Sequence, residues 1–172
     1  AFGMEAIAGG ADVLILAGHG GHGGRLAAGA LLAALHAGAP EPDTEGAAVV
    51  EAALRLHAGH LSDPLEALRR LGGREIAALV GAILAARMQK VAVILDGEAA
   101  LAAAAVVKAL APEGIAHCIA GDTGSALASA AIAALGLDTV LRLGMTTGDG
   151  AGGAMAAGVV KTAALAHAGA AE

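Results

Sequence analysis

The apolar positions of this chain fall into two alternating rhythms. "ADVLILAG" (11–18), "VAVILDG" (91–97), "AHCIAG" (116–121) and "DTVLRLG" (138–144) are short, nearly continuous apolar runs bounded by glycine or charge. Runs of that length and continuity are expected of parallel strands buried on both faces. Longer stretches lie between them, with apolar residues at helical spacing: 25–37, 46–60, 74–88, 98–110, 124–135 and 152–167, with a short helix ahead of the first strand. "SDPLEALRRLGG" (62–73) is punctuated as a further short helix, with Asp63 as N-cap, Pro64 at its first position and Gly72 as its stop. "HAGAPEPDTEG" (36–46) is a polar connection containing two prolines. Strands alternating with helices predict right-handed crossovers and an α/β fold: an open, doubly wound, Rossmann-like parallel sheet with helices on both faces, forming one domain over 1–172.

Composition sharpens this picture. Of 172 residues 57% are hydrophobic and 1% aromatic, with Phe2 the single ring, so the core must be built from small aliphatic side chains at close backbone approach. Ten basic against sixteen acidic residues give a formal charge of -6, which leaves no electrostatic footprint for a nucleic-acid backbone. Mean hydropathy is high at +0.72. Charges and glycines nevertheless cut every apolar run short of a membrane span. The one cysteine, Cys118, offers no disulfide framework, and no basic leader precedes the first strand, so a cytoplasmic, reducing location is expected.

In open α/β sheets ligands bind beyond the carboxyl ends of the strands. The unusual loops of this sequence all fall there: "GHGGHGG" (18–24), "DGEA" (96–99), "GDTGS" (121–125) and "GMTTGDGAGG" (144–153). Gly18, Gly20, Gly21, Gly23 and Gly24 lead into a helix opened by Arg25, and bare amides at a helix N-terminus favour an anion such as a phosphate. The spacing fits neither a P-loop nor a dinucleotide fingerprint. His19 and His22 stand three apart, as do His57 and His60; two such pairs could hold zinc if they met, but solvated or hydrogen-bonding histidines are the better reading, and neither metal nor cofactor is expected. "GDTGS" matches the active-site turn of aspartic proteases only superficially. It opens an alanine-rich helix, where Asp122 or Thr123 is expected to cap. Asp149, held between Gly148 and Gly150 just before the last helix, could act as a base facing the glycine loop, or could simply favour the helix dipole.

"SDPLEALRRLGGREIAALVGAILAA", "VAVILDG" and "ALGLDTVLRLGMTTGDGAGGAM" together resemble the nicotinate-nucleotide:dimethylbenzimidazole phosphoribosyltransferase (CobT-like) family of cobalamin biosynthesis, over the second half of the family's usual length. The resemblance implies transfer of phosphoribose from nicotinate mononucleotide to a benzimidazole-type base. It also implies a homodimer, or a separate chain supplying the other half. Where the family has G-E-M-G-I-G-N-T-T, this chain has "GHGGHGGRL", with Gly18, Gly21 and Gly23 at the glycine positions lining the ribose phosphate. His19 replaces Glu, Gly24 replaces Asn and Arg25 replaces the first Thr; His22 joins the cradle, and Gly97 keeps the L-D-G glycine. Asp149 takes the place of the glutamate proposed as base, one methylene shorter. The phosphate-side lysine is missing, which makes Arg25 the candidate positive partner. Glu98 stands where the family has an aromatic ring, and the E-P-G-H element after the third strand is replaced by "GSALAS". The rival expectation is a catalytically lapsed module that binds a nucleotide or cobamide precursor, or serves as a partner subunit.

Overall fold

The computed structural model describes residues 2–19, 23–38 and 45–170. A one-turn helix α1 (Phe2–Glu5) precedes β1 (Val13–Ala17), α2 (Gly24–Ala34) and α3 (Glu45–His57). The short α4 (Pro64–Ala67) runs through a π-helical turn, Leu68–Gly72, into α5 (Gly73–Met88). β2 (Ala92–Asp96), α6 (Gly97–Leu110), β3 (Cys118–Asp122), α7 (Ala126–Leu135), β4 (Thr139–Leu141) and α8 (Ala151–Gly169) complete the alternation.

The four strands form one parallel sheet in the order β1-β2-β3-β4, with Ala17 opposite Asp96, Leu95 opposite Ala120 and Asp122 opposite Leu141. Val93, Ile94 and Leu95 are fully buried at its centre, as their unbroken apolar run predicts. The α/β, Rossmann-like sheet with helices on both faces is as expected, and the strand order settles how the faces are shared. Because each strand lies beside its predecessor, right-handed crossovers put the connecting helices on one face. There α6 packs on α2, α5 and α7, while α8 lies across all four strands on the other face.

Two devices let so alanine-rich a chain close its core. Ala100 to Val107, eight consecutive residues of α6, are buried, so the helix serves neighbours all round with side chains too small to hold them off. On the opposite face, a Cβ on Gly153 would sit 2.5 Å from the Ile15 side chain, and one on Gly121 3.1 Å from the Gly153 backbone. At that helix–sheet contact a larger residue fits only if its neighbours give way. Phe2 is 84% exposed, so no aromatic ring enters the core.

Local signals hold with small shifts. The Asp63 carboxylate accepts the Leu65 amide at 2.8 Å, capping α4 with Pro64 at its first position. The chain direction breaks at Gly73 (φ 70°, ψ −175°), one residue beyond the expected stop at Gly72. α7 begins at Ala126, and its N-cap is Ser125, whose hydroxyl accepts the Ala128 amide at 3.1 Å. Asp122 and Thr123, the expected caps, are not used in that way, because Asp122 is engaged elsewhere. At the other end of α7, Lys108 donates to the Leu135 and Ala134 carbonyls at 2.7 and 3.3 Å, satisfying acceptors the helix leaves open.

Candidate active site

The carboxyl ends of the four strands open onto one cleft. Gly18 and His19 reach it from β1, Gly97, Glu98 and Ala99 from β2, Gly124 and Ser125 from β3, and Met145 to Gly148 from β4. Gly24 and Arg25 of α2 and Glu75 of α5 close its side. Its volume is about 140 Å³, less than the roughly 300–1,000 Å³ of sites that enclose a drug-sized ligand. The described residues therefore bound room for a small group or for part of a larger ligand.

One ionic network crosses this cleft. Arg25 donates through Nε and Nη2 to the two oxygens of Glu98, at 3.2 and 2.9 Å, and the Ser125 hydroxyl donates to Glu98 Oε1 at 2.6 Å. The hydrogen bond and the charge of Glu98 raise the Arg25 guanidinium above its ordinary value. Glu98 is in the first turn of α6, Arg25 in the first turn of α2 and Ser125 caps α7, so the carboxylate joins the starts of three helices. Negative charge is stabilised at such ends.

Two buried aspartates build the opposite wall. Asp122, 5% exposed, accepts the amides of Gly124 at 3.1 Å, Leu143 at 2.6 Å and Met145 at 2.6 Å, and so clamps the loop between β4 and α8. Burial works to raise its carboxyl, but the amides of Leu143, Gly124 and Met145 outweigh it and hold the group below the usual carboxylate range. Asp96, 3% exposed, accepts the Gly153 amide at 3.0 Å and thereby caps α8 from the end of β2. The clamped loop meets the loop after β2 backbone to backbone: a Cβ on Gly97 would lie 2.6 Å from Gly148 Cα, and both residues have positive φ (79° and 61°). Neither position tolerates a side chain without movement.

Asp149 follows Gly148, the last lining residue of that loop, in the chain. Its Oδ1 accepts the Thr147 hydroxyl at 3.1 Å and the Ala151 amide at 3.2 Å. The amide of Ala151, the Thr147 hydroxyl and, more weakly, the nearby His19 lower its pKa.

Of the residues singled out from sequence, Gly18, His19, Gly24, Arg25, Gly97 and Gly148 line the cleft. Gly23 and Gly150 are left-handed N-caps of α2 and α8 (φ 83° and 102°), beside the cleft lining. Gly21 and His22 lie outside the described residues. His57 and His60 end α3 and the turn after it, apart from the cleft lining. Among the described residues, no group of three or more His, Cys, Asp or Glu side chains is arranged to hold a metal ion. Sequence reasoning missed Glu75, Ser125 and Thr147, and it passed over Asp96 and the loop-clamping role of Asp122. The signal available for the aspartates was a carboxylate ending an apolar strand, a position too costly to occupy without donors.

A family profile described as a phosphoribosyltransferase matches residues 1–172. Nicotinate-nucleotide–dimethylbenzimidazole phosphoribosyltransferases of Rhizobium meliloti (strain 1021) and Sinorhizobium medicae (strain WSM419) are each 52% identical over 182 residues, covering 98% of this chain and 54% of the relative. A crystal structure of the protein of that name from Thermus thermophilus superposes with a TM-score of 0.79 at 33% identity, covering 94% of this chain and 52% of that one. The chain spans about half the length of the curated relatives it matches. With the sheet, the cleft at its carboxyl edge and matches along nearly its whole length all agreeing, this chain belongs to the nicotinate-nucleotide–dimethylbenzimidazole phosphoribosyltransferase family.

Proposed function

We propose that this chain carries the phosphoribosyl-transfer half-site of such an enzyme, moving phosphoribose from nicotinate mononucleotide to a benzimidazole-type base. The observation that carries the reading is one cleft lined both by Gly18, His19, Gly24 and Arg25 and by the loop from Met145 to Gly148, with Asp149 the next residue in the chain. In this reading the amides around Gly18, Gly23 and Gly24, with Arg25 and His19, receive the ribose phosphate. The azole nitrogen attacks C1′, the bond from C1′ to the pyridinium nitrogen breaks with its electron pair leaving on nicotinate, and Asp149 accepts the azole proton. A depressed pKa keeps Asp149 ionised and ready to accept, although it also makes the free carboxylate a weak base. Gly97 and Gly148 serve by fixing the two loops against each other.

Product formation from nicotinate mononucleotide and dimethylbenzimidazole tests the reading, and its absence at high protein concentration counts against it. A second reading, a nucleotide-binding module without turnover, is favoured by the small cleft and by Arg25 being already paired. It predicts thermal stabilisation of about 2.7 kcal/mol at a ligand concentration 100 times the dissociation constant, with no product.

We further propose a cytoplasmic setting, since no helix among the described residues is long and apolar enough to cross a membrane. A homodimer or a separate partner chain is proposed as well. The exposed surface of α8 from Lys161 to Gly169 supports an assembly that covers it.

A further inference from the structure

We propose that Glu98 is a resident anion of the cleft and a specificity residue: its carboxylate occupies the place on Arg25 that a phosphate monoester would take, so such a ligand binds by exchanging with it. The inference rests on reading the cleft as an anion site. It is carried by the network, not by the loop glycines.

Three donors converge on Glu98: Arg25 Nε and Nη2, and the Ser125 hydroxyl. A two-pronged guanidinium and a hydroxyl are what a phosphate oxygen pair also requires. Exposure is lopsided, 9% for the carboxylate side chain and 71% for the guanidinium side chain, so the anion sits inside and the cation leans over it from solvent. Arg25 is therefore free to swing with an incoming ligand, whereas Glu98 is packed within the first turn of α6. Glu75 adds a second carboxylate to the lining. A dianion entering beside both is repelled unless Arg25 turns to it and its other contacts offset the charge left on Glu98. Until that exchange, the cleft disfavours free phosphate. Ligands that bring further contacts, such as a ribose and a ring, can drive the exchange through binding energy that inorganic phosphate lacks.

The test is calorimetric titration of inorganic phosphate and of nicotinate mononucleotide into the wild-type chain, Glu98→Gln, Arg25→Ala and the double variant, with circular dichroism as a check on folding. Glutamine keeps the size and the acceptor for Ser125 but removes the charge. Glu98→Gln is expected to bind inorganic phosphate about tenfold more tightly than wild type, the difference equivalent to one charge-assisted hydrogen bond, and the gain is expected to vanish when Arg25 is also replaced. Equal phosphate affinity in wild type and Glu98→Gln, or no phosphate binding to either, overturns the inference. A gain that persists without Arg25 overturns it too. Tighter phosphate binding in Glu98→Gln, with no nicotinate mononucleotide binding to any variant, upholds the resident anion while removing the proposed substrate.

Discussion

A carboxylate that accepts two hydrogen bonds gives up part of its basicity to them, and Asp149 is in that position, held by Thr147 and Ala151. If it takes the azole proton, Asp149→Asn is expected to lower transfer by at least about 100-fold while leaving nucleotide affinity within about threefold, because Asn preserves both acceptor contacts. Steady-state rates and calorimetry on the same preparation separate the two effects. Asp149 was legible in the sequence as a lone charge between glycines before a helix. Glu98 was legible only as an oddity, since its partners Arg25 and Ser125 lie 73 and 27 residues away. Gly97 was singled out by resemblance, but the steric reason for glycine there was not legible, because the obstructing atom belongs to Gly148. Gly97→Ala, which combines positive φ with that collision, is expected to cost about 1–3 kcal/mol in urea denaturation.

Within the elements, the stretch from β4 to α8 depends on two carboxylates borrowed from neighbouring strands. Asp122 holds Leu143 and Met145, and Asp96 holds the first turn of α8. Asp122→Ala leaves these amides without their acceptor and is expected to destabilise the protein by about 1–3 kcal/mol, with faster proteolytic cleavage between 142 and 150 than elsewhere. Helix signals that need only adjacent residues were readable. Asp63 and Pro64 start α4 as their order predicts, because the cap reaches an amide two residues on. The cap of α7 was misplaced to Asp122 or Thr123, since the pattern cannot tell that Asp122 is drawn away by amides 21 and 23 residues downstream.

For the whole molecule, two kinds of titrating group set the acid limit in the same direction. Burial lowers His117 below its ordinary value, with Arg87 adding repulsion against the opposing hydrogen bond to Ile83. Below about pH 6.5 the unfolded chain takes up that proton and the folded one resists, so stability begins to fall there. Asp122 and Asp149 have lowered folded values. Their contribution is fully present above the unfolded value of about 3.9 and is lost as pH falls through the lower folded values. Denaturant midpoints measured from about pH 7.5 to about pH 2.5 are therefore expected to show a shallow decline below about pH 6.5 and a steeper one below about pH 4. His117→Gln should remove the first and Asp122→Asn should reduce the second.

The sequence by itself determined the class of fold and the edge at which chemistry belongs. Apolar run length and helical spacing are local properties, and parallel strands joined by right-handed crossovers send every strand-to-helix loop to one end of the sheet. Tertiary structure alone decided the strand order, the placing of α8 across the second face, and which charges meet in the cleft. The physical reason is range. A cap or a turn is specified by residues a few positions apart, whereas the partner of a buried carboxylate is whichever donor the packed sheet delivers to it, and packing among alanines and glycines is settled by contacts far apart in the chain.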